Sequence, residues 1–219
     1  MRSAHPVAVS ASPVWQMRLL DGADEARAAG EHFVARRFAR CHGARVSHFM
    51  PWLLTMQGER RIGAVLGIRS AAAPLFLEHY LDQPVEQLVS ARFHRPVARD
   101  GIVEIGNLAA ARAGARYCLF VALVGLLHQA GFRWLVFTGT GPVRRALETM
   151  RLPVRPLGPA DPDRLGEQAA SWGDYYRENP WVLTGDLEAG MAAIAADPGM
   201  AAALRLFRES IEEAACRLA

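Results

Sequence analysis

The sequence predicts an α/β protein with a mixed central sheet and helices on both faces. Three observations carry that reading. Two apolar strands, residues 102–108 and 132–137, flank a long apolar helix at about residues 115–130, and a strand–helix–strand unit of this kind closes as a parallel crossover. Upstream, residues 52–56 and 61–68 are joined by Gln57-Gly58-Glu59, a hairpin turn that pairs its strands antiparallel. The full order is β, α, β-hairpin, α, β, α, β, α, β, β, which needs both kinds of pairing in one sheet.

Each element has a local reason. Residues 14–20 read as the first strand, Asp21-Gly22 as a turn, and Asp24 as the cap of a helix running to about Cys41. That helix turns Ala28, Phe33, Val34 and Phe38 inward, with Glu25, Arg27, Arg36, Arg37 and Arg40 largely outward. After the hairpin, residues 75–89 read as helix interrupted at Pro84, and residues 92–100 as polar loop. Pro142 opens a helix to about Met150. Residues 153–157 form a short extended piece, 161–168 a loop or short helix, and 181–183 a last strand. From Asp186 the chain is Ala-rich, broken at Pro198-Gly199 and helical over residues 201–218. The expected division is a disordered leader at residues 1–13, one α/β domain at 14–187, and a helical extension at 188–219, the only segment that looks separable.

Composition narrows the function classes. A chain of 219 residues suits one domain with a sizeable core. A net charge of +3 does not point to a nucleic-acid partner. All 25 basic residues are Arg. No Lys is present to form a Schiff base, whereas Arg forks remain for carboxylates and phosphates. Cys41, Cys118 and Cys216 are widely spaced with no CxxC pair, so neither a disulfide framework nor a metal site is expected. The N-terminus lacks the continuous apolar run of a signal peptide. The longest apolar run, residues 117–127, falls short of the roughly 20 residues of a membrane span. A soluble, cytoplasmic protein is the expectation.

The segment Ile102-Val103-Glu104-Ile105-Gly106-Asn107-Leu108 places a carboxylate inside an apolar strand. An unpartnered buried charge costs several kcal/mol, so such a carboxylate has a task or a partner. Alternation puts Ile102, Glu104, Gly106 and Leu108 on one face and Val103, Ile105 and Asn107 on the other. Gly106 leaves room beside Glu104 for a ligand or another backbone. Glu104 could act as a general base, or be a structural carboxylate paired with an Arg. Asn107 could meet a ligand or cap a turn.

Several blocks resemble the thermostable hemolysin family: Phe49-Met50-Pro51, Gly67-Ile68-Arg69-Ser70-Ala71, LFLEHYLDQPVE at residues 75–86, IVEIGNLA at residues 102–109, Phe137-Thr138 and Trp172-Gly173-Asp174-Tyr175-Tyr176. The element order is also similar to the acyltransferase fold of GNAT-type N-acetyltransferases and acyl-homoserine lactone synthases. That resemblance implies that residues 104–108 form a fourth strand splaying from the fifth, with a carrier's pantetheine arm in the gap and its phosphates at the amides of the next helix. The sequence departs from it in three places. The Gly-rich loop is reduced to Arg112-Ala113-Gly114-Ala115-Arg116; residues 143–150 hold no general-acid Tyr; and Asn107 stands where lactone synthases carry an Arg.

The resemblance implies site roles. Glu104 is the catalytic base, with Asn107 beside it. Leu108, Arg112, Gly114, Arg116, Thr138 and Thr140 are the carrier-binding candidates, although the Arg-rich stretch could also be a solvated basic turn. Read from the residues themselves, Arg69, Glu78 and Tyr80 could hold the acceptor or belong to a surface helix and a capping Arg, and Trp172, Tyr175 and Tyr176 could line an acyl or acceptor pocket or pack a C-terminal loop on the sheet. The expected activity is N-acyl transfer, fatty acyl in particular, from acyl-CoA or acyl carrier protein to a small amine such as an amino acid. No tightly bound cofactor and no metal are expected. A membrane-active cytolysin and a non-catalytic acyl-carrier binder remain as alternatives. The last helix carries Leu204, Phe207, Ile211 and Ala214 on one stripe. That stripe could lie on a membrane, on a second copy in a homodimer, or on its own domain. Its polar face mixes Glu209, Glu212 and Glu213 with Arg205 and Arg208, which is unlike a basic membrane-binding face.

Overall fold

The computed structural model describes residues 15–59 and 61–218. The expected leader at residues 1–13 and the expected strand start at Val14 lie outside them. Among the described residues the sheet has seven strands: β1 (Gln16–Leu20), β2 (Trp52–Gln57), β3 (Ile62–Ser70), β4 (Ile102–Ala110), β5 (Trp134–Gly139), β6 (Val154–Pro159) and β7 (Trp181–Asp186). Their spatial order is β1-β2-β3-β4-β5-β7-β6. Only β4 and β5 pair in parallel; all other neighbours are antiparallel.

Helices α1 (Arg27–His42) and α2 (Val85–Phe93) cover one face. Helices α3 (Ala113–Gln129), α4 (Gly141–Thr149), α5 (Leu187–Ala196), α6 (Pro198–Leu206) and α7 (Arg208–Leu218) cover the other. Helix α1 starts at Arg27 rather than at Asp24. The Asp24 carboxylate accepts from the Asp21 N–H at 2.8 Å and from Arg217 at 3.0 Å, so it caps a turn and anchors the C-terminal helix instead. The segment expected as one interrupted helix is a 3-10 turn, Phe76–Tyr80, followed by α2.

Helix α3 is apolar all round, and from Leu119 to Leu127 every residue is buried. Such a helix must be covered on all sides. The sheet covers one side and the C-terminal helices cover the other. A Cβ on Gly125 would come within 2.6 Å of Leu204 Cδ1 and 3.2 Å of Ile211 Cδ1. Ile194, Met200, Ala203, Phe207, Ile211, Ala214 and Ala215 join the core that contains α3. The C-terminal extension is therefore part of the main core and not a separable appendage. Among the described residues no helix is long and apolar enough to cross a membrane.

Two irregularities position the site. β4 pairs β5 only over Ile102–Ile105 against Trp134–Phe137, after which the strands part. Against β3, the register jumps from Gly67↔Gly106 to Val65↔Ala109, so Asn107 and Leu108 together oppose Leu66. Asn107 takes φ +49, a left-handed conformation that Asn tolerates better than most residues. This bulge resets the alternation. Leu108 packs with the Val103 and Ile105 core, not on the Glu104 face as strict alternation expects.

Candidate active site

The parting of β4 and β5 opens a cavity of about 940 Å³ that reaches both faces of the sheet. On the α3 side its walls are apolar: Ile105, Phe120, Val124, Leu135, Phe137 and Leu147. On the α1 side they are aromatic and charged: Phe38, His42, Arg69, Phe76, Tyr80 and Glu104, with Trp172 and Tyr175 completing the rim. Between the halves, β4 past Ile105 and β5 past Phe137 turn edges toward each other that no strand pairs among the described residues. Such edges can hydrogen-bond an amide-bearing chain lying between them.

Glu104 sits on the charged side and is 3% exposed. One oxygen accepts from the Leu77 N–H at 3.0 Å and the other from the Phe76 N–H at 3.2 Å. Its buried partners are thus the amides of the Phe76–Tyr80 turn, not an Arg side chain. Burial pushes its pKa up; the two N–H groups and the Arg69 charge oppose that shift. Each oxygen keeps a second lone pair that can take a proton. Arg69 is the register partner of Glu104 across β3 and β4, so both side chains stand on the same face as direct neighbours.

The structure brings most of the expected residues to the cavity, but not all. Glu104, Asn107, Leu108, Arg116, Thr138, Thr140, Arg69, Tyr80, Trp172 and Tyr175 line it. Asn107 has its amide engaged: Oδ1 accepts from the Met50 N–H at 2.9 Å and Nδ2 donates to the His48 carbonyl at 3.3 Å. Its side chain ties the segment before β2 to the bulge. Room beside Gly106 is filled, because a Cβ there would lie 2.5 Å from Met50 Cε. Arg112 and Gly114 are exposed at the start of α3, outside the lining, where no side chain caps the helix. Tyr176 stands behind the wall and shares a 2.7 Å hydroxyl–hydroxyl bond with Tyr80. The Tyr80 hydroxyl, buried and so bonded, is driven far above the ordinary phenol range.

Glu78 is turned away from the cavity. It accepts from both Arg99 Nη atoms at 2.7 Å and from the Leu75 and Val85 N–H groups. Arg99 also holds Glu86 at 2.7 Å. The Arg99 guanidinium, aided by the two amides and against partial burial, lowers the Glu78 pKa from 4.5 to about 2. A depressed carboxylate stabilises the fold above its unfolded pKa, and that stability is lost as pH falls through the folded value. The denaturation midpoint is therefore expected to fall between pH 4.5 and about 2. Arg99→Gln should lower it at neutral pH and flatten that slope. A variant that keeps the wild-type acid slope would show the pairing to be energetically idle.

Sequence reasoning missed Phe38, His42 and Glu178 at the rim and the α5 residues Leu187 and Gly190 in the apolar wall. The one legible hint was Gly43 closing α1, where it takes φ +65 and ends the helix at His42. His42 is fixed from outside the helix. Its carbonyl accepts from the Asp174 N–H at 2.7 Å, and its ring packs on Phe38 and Tyr175 with centroids 5.7 and 5.4 Å away. Gly173 makes that contact feasible. Its φ is +55, and a Cβ would stand 2.2 Å from the His42 carbonyl oxygen. Gly173→Ala is expected to destabilise the protein by about 2–4 kcal/mol, measured by chemical denaturation. A change within about 0.5 kcal/mol, the range of an ordinary surface substitution, would contradict the close approach.

A mixed sheet whose central parallel pair parts around a cavity, with helices on both faces, is the GNAT-like fold. The structure is similar to the acyl-homoserine lactone synthase LasI, with a TM-score of 0.57 over 83% of this chain and 95% of that one at 15% identity. It is similar to FeeM, an N-acyl amino acid synthase from uncultured soil microbes, with a TM-score of 0.56 over 83% and 96% at 12% identity. It is also similar to BjaI, a CoA-dependent acyl-homoserine lactone synthase solved with SAM and isopentyl-CoA, at 0.55 over 94% and 99% with 14% identity. Residues 20–191 match the thermostable hemolysin family, and the chain belongs to that family. Among curated protein sequences, none matches the chain.

Proposed function

We propose that the protein transfers an acyl group from a phosphopantetheine thioester, borne by coenzyme A or an acyl carrier protein, to the amine of an amino acid. One observation carries the reading: the cavity joins an apolar chamber to the Arg69–Glu104 pair through the gap between β4 and β5. The chamber suits a fatty chain and the unpaired strand edges suit a pantetheine arm. The neighbouring opposite charges suit a zwitterion, its carboxylate on Arg69 and its amine at Glu104. The uncapped start of α3, with Arg112 and Arg116, suits the carrier's phosphates.

The chemistry needs no protein nucleophile. The amine nitrogen attacks the thioester carbonyl, the C–S bond breaks, and the free thiol and an amide are the products. The bound ammonium first releases one proton by way of Glu104 to solvent, which frees the lone pair for attack; Glu104 then takes the second proton, the one the nitrogen loses as the amide forms. Backbone N–H groups near Leu108 and Thr138 polarise the carbonyl. From the carbonyl position at Thr138 the chamber runs back along β5 to the level of Asp186, the register partner of Trp134, about 13 Å at roughly 3.3 Å per residue. An extended chain advances about 1.2 Å per bond, so about a dozen carbons fit.

The test incubates the protein with acyl-CoA and acyl-carrier-protein thioesters of graded length and an equimolar pool of amino acids. Mass spectrometry then looks for N-acyl products and released thiol. Amide formation that peaks near a dozen carbons is expected. No amide above the uncatalysed background with either carrier would overturn the proposal.

A further inference from the structure

Acyl transfer to an amine has two proton tasks: one proton leaves the nitrogen and one must reach the departing sulfur. Glu104 sits on β4, with both oxygens already accepting amide hydrogens, and can serve the first. The second needs a donor on the β5 side. A chain lying beside Leu135 and Phe137 carries its carbonyl near Thr138, and its sulfur beyond, toward Thr140. That end of β5 faces the chain around Glu178. The Glu178 carbonyl oxygen is 3.6 Å from where a Cβ on Gly141 would lie, and the Asn179 carbonyl accepts from Arg144 at 3.3 Å.

His42 and Glu178 both line the cavity there. The Glu178 Oε1 lies 3.9 Å from His42 Nδ1, with the His42 side chain 15% exposed. Phe38 and Tyr175 hold the ring on two sides. With Nδ1 turned to the carboxylate, Nε2 is the nitrogen left for a substrate. Three other protic groups of the cavity are poorer donors. The Tyr80 hydroxyl is bonded to Tyr176. Asp186 is held by Arg95 and Arg133 and caps α5. His48 is exposed beside Ser47.

We propose that His42, positioned by Glu178, is the proton donor to the leaving sulfur. This rests on the acyl-transfer reading. As the C–S bond breaks, its electron pair stays on sulfur, the imidazolium Nε2–H proton moves to that sulfur, and neutral His42 is reprotonated by solvent. Glu178 acts through His42 and touches no reacting atom.

The test compares two donors that carry one acyl chain, an N-acetylcysteamine thioester and a thiophenol thioester, with the pooled amino acids as acceptor. An aryl thiolate leaves without protonation, whereas an alkyl thiolate needs it. His42→Gln should lower kcat/KM about 100-fold or more with the alkyl donor and less than about 10-fold with the aryl donor. Glu178→Gln, at a more exposed side chain that spares the packed ring, should show the same donor-dependent split at smaller size. Equal losses with both donors would overturn the role, since a merely structural defect cannot tell the leaving groups apart. Wild-type protein that turns over neither these donors nor the coenzyme A and carrier-protein thioesters would overturn the acyl-transfer reading itself, and the His42 role with it.

Discussion

Glu104→Gln is expected to lower kcat by about 100-fold or more and to lower stability at the same time. The two effects have separate origins. Both carboxylate oxygens accept buried amide hydrogens, at 3.0 Å from Leu77 and 3.2 Å from Phe76. A glutamine keeps one acceptor and turns an NH₂ toward the other N–H. One buried donor then loses its partner, at a cost of about 1–3 kcal/mol. The loss of turnover comes from the lone pair that would take the amine proton. If Glu104 only anchored the Phe76–Tyr80 turn, activity per folded molecule would survive in the variant. The pH dependence separates the roles further. Burial raises the Glu104 pKa, so the folded state binds a proton more readily than the unfolded chain. Stability contributed by this group is therefore greatest at low pH and declines as pH rises through the raised value. Activity should rise over that same window, as the base form appears. The opposed trends should vanish together in Glu104→Gln; an activity rise that persists in the variant would assign the proton acceptor elsewhere.

How far these features were legible in the chain depends on whether they are local. The strand order follows from apolar periodicity and turn residues, which act over a few residues at a time. The buried carboxylate was legible because Ile102, Val103 and Ile105 leave Glu104 no exposed register. Its partners were not, because the Phe76 and Leu77 amides come from 28 and 27 residues away. Arg99 was free to choose Glu78 instead. The bulge at Asn107 was hidden because one extra residue in a strand leaves no compositional mark, and only the φ of +49 against β3 shows it. The docking of the tail had a signal in α3. A helix apolar on every side requires cover from somewhere, and the Ala-rich stripe of the tail is the surface that supplies it. His42 and Glu178, 136 positions apart in the numbering, meet only once α1 is pinned by Gly173 and Asp174.

That docking has a consequence for specificity, since α5 forms part of the apolar chamber through Leu187 and Gly190. Gly190 is buried in mid-helix, where glycine costs roughly 0.5–1 kcal/mol relative to alanine. Its location explains the exception. A Cβ at Gly190 would sit 3.1 Å from Val124 Cγ1, itself a wall residue of the chamber. Alanine needs only a small shift of Val124. A leucine has nowhere to go but the lumen, where it displaces the far end of the acyl chain. Excluding about four methylenes, at about 0.8 kcal/mol each, removes about 3 kcal/mol of burial from a long donor. Gly190→Leu is therefore expected to cut kcat/KM for donors of about a dozen carbons by roughly 200-fold, at 1.4 kcal/mol per tenfold. Donors four or more carbons shorter should be nearly unaffected, and Gly190→Ala should stay close to wild type. The chain-length profile measured with graded acyl thioesters decides it. A uniform loss at every length would mean that leucine damages the α3–α5 packing, and an unchanged profile would mean that the chain does not lie against α5.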